Sequence, residues 1–273
     1  MNRHISEIDS TLFSTNVNEK SAYLLGFLWA DGCIYTKRKY SYLIQISIIT
    51  EDMKYIRPIL NSLGEWNYNI YKPKNTKWRE KTSAAIYSKT LTSYLLNNGF
   101  DNKENPHSIL STLPEKLHKY FWRGLFDGDG NVGLTLKSYS CSINSSYNQN
   151  WKLLEQLCNE LDVKYFIQKR ISNKGKQSNF RISNRVDIEK FLSYIYDGYE
   201  YDKIGFHRKY ATFLQICKKN NEYKKTRTST HKGISYIRNR NKWQINKRIN
   251  GVDKIFYGFV TEKAAVEFLQ SLI

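Results

Sequence analysis

Two aspartates, Asp31 and Asp129, each close an apolar run and each precede a glycine. The first run reads Leu24-Leu25-Gly26-Phe27-Leu28-Trp29-Ala30-Asp31-Gly32. The second, 98 residues further on, reads Trp122-Arg123-Gly124-Leu125-Phe126-Asp127-Gly128-Asp129-Gly130. In each run two small residues stand four apart: Gly26 and Ala30, then Gly124 and Gly128. At helical spacing such pairs share one face. Two helices that meet on those faces approach closely and bring Asp31 and Asp129 to neighbouring ends. An aspartate at a helix C-terminus opposes the macrodipole, at a cost of up to about 1 kcal/mol. Two carboxylates about 4 Å apart repel by roughly 4 kcal/mol at an effective dielectric near 20. A divalent cation between them relieves both penalties. Magnesium suits such a site because it takes hard oxygen ligands and keeps several waters, and a retained water is a potential nucleophile. One copy alone reads as a core helix ending in an ordinary Asp-Gly turn; two copies in the same order weaken that reading.

The rest of the chain must position these acids. Its 273 residues suffice for one large domain or two small ones, and 40% are hydrophobic. Lys and Arg total 43 against 25 Asp and Glu, a formal charge of +18. That balance favours a polyanionic partner, nucleic acid before membrane. No apolar run is long enough for a membrane span, and the first residues lack the apolar segment of a signal peptide, so an intracellular location is expected. Cys33, Cys141, Cys158 and Cys217 form no Cys-x-x-Cys pair and are expected as free thiols rather than zinc ligands.

Taken in order, residues 1–17 are expected to form a loosely packed arm. Asn18 is placed to cap the first motif helix, which runs to about 31. Strands follow at 33–35 and about 42–48, joined by the basic turn Thr36-Lys37-Arg38-Lys39. In the second of them Tyr42, Ile44, Ile46 and Ile48 alternate with polar residues, including Gln45. The spacing predicts a helix over 51–63 stopped by Gly64, strands near 67–72 and 83–88, and a helix over 90–97. Lys72, Lys74, Lys77, Arg79 and Lys81 occupy the connection between that strand pair.

After the second motif the same series recurs. Strands are expected at 131–137 and 139–145, a helix at 150–161, strands near 164–170 and 179–184, and a helix at 187–196. Lys169, Arg170, Lys174, Lys176 and Arg181 repeat the basic loop. The chain therefore reads as one α+β unit duplicated, with pseudo-twofold symmetry. Each half would carry an antiparallel sheet with one apolar and one polar, basic face. Paired basic hairpins on a pseudo-twofold body match duplex DNA, whose major groove admits antiparallel ribbons.

On these motifs the chain resembles the LAGLIDADG homing endonucleases in their single-chain form, over roughly residues 18–216. The first copy departs from the family pattern with Trp29, where the family often has an acid, and the second begins Trp122-Arg123. The resemblance implies two αββαββα halves, 18–112 and 113–217, with the motif helices between them and the sheets as a saddle over the major groove. It implies a monomer that uses Mg2+, with Mn2+ or Ca2+ as substitutes, to cut both strands of a long pseudo-symmetric or asymmetric double-stranded DNA target, leaving short 3′ overhangs. By position, Asp31 and Asp129 would hold metal, with the carbonyls of Gly32 and Gly130 completing the coordination. A basic residue near each scissile phosphate would be Lys103 in the first half and Lys209 in the second, with Lys203 the rival for the latter. Glu51 and Ser146 stand where the family keeps a polar group near the water network. An RNA-splicing maturase and a binding-only DNA regulator are the alternatives on the same fold.

The tail divides in two. Residues 218–230 are polar and basic and are expected as a linker. From 231 to 273, three short strands around Gly233–Ile237, Lys242–Ile245 and Lys254–Phe259 precede a helix at 262–271 capped by Thr261. Asn250-Gly251 suits a hairpin turn. This stretch resembles the ethylene-response-factor-type DNA-binding domain, three strands packed on one helix. The resemblance implies a sheet face that reads the major groove, with Arg238, Arg240, Trp243, Lys247 and Arg248 as its candidates.

Overall fold

The structure is a computed structural model and describes residues 8–36, 42–74, 79–135, 138–173, 175–226, 229, 231–237 and 240–272. Lys37, Arg38, Lys39, Lys77, Lys174 and Arg238 lie outside the described residues. The chain divides into two compact units, Met1–Ile216 and Cys217–Ile273.

In the first half of the larger unit, α1 (Glu19–Asp31) is followed by β1 (Gly32–Tyr35), β2 (Leu43–Ile49) and α2 (Thr50–Leu63). Then come β3 (Asn67–Tyr71), β4 (Lys81–Tyr87), α3 (Lys89–Asn97) and the short α4 (His107–Ser111). The second half repeats the series: α5 (His118–Asp129), β5 (Gly130–Leu134), β6 (Tyr139–Ser146), α6 (Lys152–Glu160), β7 (Phe166–Ser172), β8 (Gly175–Ile182) and α7 (Arg185–Ile195). The short α8 (Tyr199–Asp202) and the long α9 (His207–Thr226) close it.

The two antiparallel sheets have the same strand order, β1-β2-β4-β3 and β5-β6-β8-β7. Alternation sets their faces. Ile44, Ile46, Ala84 and Ile86 turn inward in one sheet, and Cys141, Ile143, Phe180 and Ile182 do so in the other. Registers agree too: Ile44 pairs with Ile86 and Cys141 with Ile182. The fold is α+β with two pseudo-twofold halves, as the duplicated pattern predicts.

Three stretches differ from expectation. The arm is packed from Ile8 onward, with Phe13 fully buried and Asp9 capping a short 3-10 turn at Ser10–Phe13. The connection after α7 holds α8 and the start of α9, which the apolar pattern left unread. Helix α9 also continues to Thr226, into the stretch expected as a linker.

The smaller unit has β9 (Ile234–Ile237), β10 (Lys242–Ile249) and β11 (Val252–Phe259) in the order β11-β10-β9, with α10 (Glu262–Ser271) capped by Thr261. Ile234, Ile245 and Ala265 form its buried centre. Among the described residues no helix is long and apolar enough to cross a membrane.

Candidate active site

Helix α1 begins with a reciprocal cap: Asn18 Oδ1 accepts from Lys20 N and Ser21 N, and Ser21 Oγ accepts from Asn18 N at 2.9 Å. It packs against α5 through glycines that leave no room for a side chain. A Cβ on Gly26 would stand 1.9 Å from Phe121 O, and one on Gly124 would stand 2.0 Å from Tyr23 O. At the C-terminal ends, a Cβ on Gly128 would stand 2.4 Å from Ala30 Cβ and 3.2 Å from Asp31 Oδ2. The small-residue faces therefore meet as expected, and they deliver Asp31 beside the turn that carries Asp129.

The electrostatics agree with that placement. Burial pushes the Asp129 carboxyl up to about 6, and the neighbouring Asp31 charge pushes in the same direction. Burial also raises Asp31, against the pull of Lys209, Lys103 and Lys81. The Asp31 residue opens to solvent while Asp129 is half-buried, so the site faces outward over a tightly packed floor.

Each acid has a lysine. Lys103 Nζ donates to Leu28 O at 3.0 Å and to Gly32 O. Lys209 Nζ donates to Phe126 O at 2.6 Å, to Asp127 O at 2.8 Å and to Gly130 O. Leu28 and Phe126 are equivalent in the two motifs, as are Gly32 and Gly130, so the lysines occupy matching places. They sit on the last carbonyls of α1 and α5, where the helix dipole favours a cation. Burial lowers both ammonium groups to about 8, with the carboxylates opposing that fall; both therefore carry charge at neutral pH. Lys203 instead pairs with Glu200 at 2.7 Å on the surface. The carbonyls of Gly32 and Gly130, expected as metal ligands, each accept a lysine bond, which leaves one lone pair on each oxygen.

Among the described residues no group of three or more His, Cys, Asp or Glu could hold a metal ion. The donor set is thus a half-buried carboxylate, a second one beside it that opens to solvent and raises the first, and backbone carbonyls nearby. Such a set fits a hard divalent cation that retains water, and magnesium or calcium more than zinc. Glu51 lies in the first turn of α2, just after β2, and is exposed. Ser146 donates to Glu104 Oε1 at 2.8 Å beside the site. A cavity of about 390 Å³ opens between Asp129 and Lys103, with Trp29, Trp122, Gln149 and Trp151 among its walls.

The basic sheet residues lie as follows. Lys72, Lys74 and Arg79 are exposed at the β3–β4 connection, Lys72 being 3.7 Å from Glu80. Gln45 is half-buried on β2. Lys169, Arg170 and Lys176 are exposed on β7 and β8, while Arg181 is half-buried over the Phe166 ring. In the smaller unit Trp243 packs with Ile234, Ile245 and Ala265 on the helix side of the sheet. Lys247 also turns that way and donates to Leu272 O at 3.0 Å, closing the end of α10. Arg248 donates to Gly251 O at 3.0 Å, and Arg240 lies 5.9 Å from the Tyr257 ring.

Several site residues escaped the sequence reading. Asp127 is buried and accepts from Tyr23 Oη and Tyr196 Oη at 2.9 Å each and from Phe206 N at 2.8 Å. Arg123 is fully buried and donates to Ile195 O, Asp197 O, Ile204 O and the Asp202 carboxylate. A usable signal was present for the lysines. Gly99-Phe100-Asp101-Asn102-Lys103 and Gly205-Phe206-His207-Arg208-Lys209 share a Gly-Phe-x-x-Lys pattern, and both glycines have positive φ, +85° and +125°.

Known proteins share parts of this sequence and architecture. The chain is 28% identical over 195 residues to the DNA-directed RNA polymerase subunit Rpo1C of Methanocaldococcus jannaschii, a match over 67% of this chain. The chain spans 22% of the length of that curated relative. Among solved structures, the I-SmaMI LAGLIDADG homing endonuclease bound to cleaved DNA is 16% identical, with 77% of this chain and 92% of that chain covered and a TM-score of 0.45. I-DmoI in complex with DNA and Ca is 24% identical, with 65% and 88% covered and a TM-score of 0.43. Residues 116–196, from the turn before α5 through α7, match the family described as LAGLIDADG-like domain.

Proposed function

We propose that this chain is a divalent-metal-dependent, site-specific endonuclease of double-stranded DNA, related to the LAGLIDADG homing endonucleases over its whole larger unit. The observation that supports this reading is the meeting of Asp31 and Asp129 at adjoining helix ends, each beside a lysine seated on equivalent carbonyls of its own half. A pseudo-twofold pair of acids and ammonium groups suits two antiparallel phosphodiester strands.

Asp31 and Asp129 would hold the cation, with Mg2+ as the physiological choice and Mn2+ or Ca2+ as substitutes. When bound, it supplies Lewis-acid charge and an activated water beside a phosphate. Lys103 and Lys209 stay protonated at neutral pH and would stabilise negative charge on the phosphoryl oxygens of their respective strands. The glycine contacts hold α1 and α5 too close to slide, which keeps the acids in register. The sheets' polar faces, with Gln45, Lys72, Lys169 and Arg170, would track the groove. The smaller unit would add a second DNA contact and raise local concentration.

Incubating the chain with a randomised duplex library and Mg2+, then sequencing the cut ends, tests this. Cut ends should cluster on one long site, with both strands severed and short 3′ overhangs. Asp31→Asn and Asp129→Asn should lose cleavage roughly a thousandfold or more, because several kcal/mol of charge stabilisation depends on the ligands, while binding persists. Uncut libraries, or full cleavage by either variant, would overturn the reading.

A further inference from the structure

Trp29 and Asp127 occupy the same place in the two motif copies, two residues before each acid, yet their chemistry is opposite. Each reaches across to the segment that carries its own half's lysine. Trp29 Nε1 donates to Lys103 O at 2.8 Å. Its ring meets Phe100 edge-on at 5.6 Å, and Phe100 lies under the Lys103 ammonium, 4.4 Å from it. In the other half Asp127 Oδ2 accepts from Phe206 N at 2.8 Å, and Lys209 N donates to Phe206 O at 3.0 Å. Phe206 stands three residues before Lys209, as Phe100 does before Lys103.

The opposite motif helix is matched to each anchor. Tyr23 of α1 donates its hydroxyl to Asp127. The equivalent residue of α5 is Phe121, which has no hydroxyl and whose ring lies 6.4 Å from that of Trp29. One side is a hydrogen-bonded carboxylate and the other an aromatic stack. Each fixes the equivalent main-chain segment of its own half, and the two sets of contacts share no residue.

We propose that Trp29 and Asp127 are positioning residues. Each locks the main chain bearing the lysine of its own half, so that the two lysines are held by independent anchors and the two halves can be disabled separately. The consequence for DNA, that loss of one anchor converts a double-strand cut into a strand-biased nick, rests on the nuclease reading above.

Two measurements on the full-length chain separate these claims. The first uses metal-free protein, without DNA. Brief formaldehyde–borohydride dimethylation followed by peptide mass mapping should label Lys103 and Lys209 slowly relative to Lys72, whose side chain is 80% exposed. Trp29→Phe keeps an aromatic ring and removes the indole donor; it should raise labelling of Lys103 and leave Lys209 protected. Asp127→Asn should do the reverse. If Asp127→Asn does not fold, Tyr23→Phe, which copies the Phe121 arrangement, takes its place. Unchanged labelling, or equal exposure of both lysines in each variant, would overturn the positioning role.

The second measurement uses two substrates carrying the selected site: a supercoiled plasmid, which reports nicking, and a linear duplex with each strand end-labelled separately, which reports the strand cut. Trp29→Phe should slow one strand about tenfold relative to the other, the rate equivalent of one ordinary hydrogen bond, so nicked circles accumulate. Asp127→Asn should slow the opposite strand. Equal slowing of both strands would mark a merely structural role and overturn the inference while leaving the nuclease reading intact. A wild-type chain that cuts neither strand would overturn the nuclease reading, and the labelling pattern would still decide the anchors.

Discussion

The ends of α1 and α5 share their backbone contacts and differ in almost everything around them. Lys103 and Lys209 rest on equivalent carbonyls. The residues behind those carbonyls are not alike: Leu25 stands where the second copy has Arg123, Trp29 where it has Asp127, and Phe121 where α1 has Tyr23. The first half closes its floor with apolar and aromatic packing. The second closes it with a buried polar knot in which Arg123, Asp127 and Tyr196 satisfy one another or nearby carbonyls. The pair shows that the site constrains the main chain, and that a buried position tolerates either solution if every polar group finds a partner. The two solutions differ in how they fail. An apolar floor loses packing by degrees, whereas a polar knot that loses one member strands the rest.

The largest effect should come from breaking that knot with the first half's own residue. Arg123→Leu would remove the guanidinium donor from Ile195 O, Asp197 O and Ile204 O and the cation from Asp202, which would keep the Ile204 N bond. Urea unfolding should show a loss of about 3–5 kcal/mol, while Leu25→Met, a volume-conserving swap in the equivalent place, should cost less than about 1.5 kcal/mol. Comparable losses would mean the halves do not differ in kind. The helix contact itself should be symmetric. Gly26→Ala and Gly124→Ala each drive a methyl into a main-chain oxygen, and each should cost about 3 kcal/mol. A large difference between those two would deny that α1 and α5 are equivalent partners.

What the sequence disclosed follows from what repeats along a chain. The Gly-x-x-x-(Ala/Gly)-Asp-Gly motifs, the alternation in β2 and the Thr261 cap are local, so the paired helices, the duplicated sheets and α10 could be read directly. Locally, only the faint Gly-Phe-x-x-Lys pattern separates Lys209 from Lys203; what decides between them is what each meets in space, a surface glutamate for Lys203 and the end of α5 for Lys209. The polar knot was hidden for a similar reason. Arg123 and Asp127 look like charged residues on a helix surface until Tyr196, Phe206 and Asp202 arrive from about 70–80 residues away. Trp243 shows the converse, an aromatic that reads as a groove contact and packs against α10's side of the sheet.

A smaller effect should separate the two acids by pH. Asp129 is pushed up to about 6 by burial and by Asp31, against Lys103 and Lys209, whereas Asp31 is raised by burial alone and has three lysines, Lys209, Lys103 and Lys81, pulling it down. Below pH 6 Asp129 carries a proton that an incoming cation must displace. Cleavage at limiting Mg2+ should therefore fall about tenfold per pH unit between 6 and 5, and excess Mg2+ should restore it. Rates independent of pH from 7 to 5 at limiting Mg2+ would show that the carboxylates do not share a site.

The smallest effect probes how tightly the second half closes. Cys141 on β6 and Cys158 on α6 are fully enclosed. Burial pushes Cys158 up to about 12, with Asp187 and Glu155 adding to it, and burial likewise raises Cys141. Neither supplies thiolate at pH 8, and the thiolate is the reactive form. Cys33, on β1 of the first half, is half-exposed and makes a long 3.5 Å contact to Gln45 O. In a Cys217→Ser background, Ellman's reagent should label Cys33 in the native chain and reach Cys141 and Cys158 only in denaturant. Labelling of either at the rate of Cys33 would mean that the second half opens as readily as a strand edge, and a polar knot that opens so easily could not be what holds Lys209 in place.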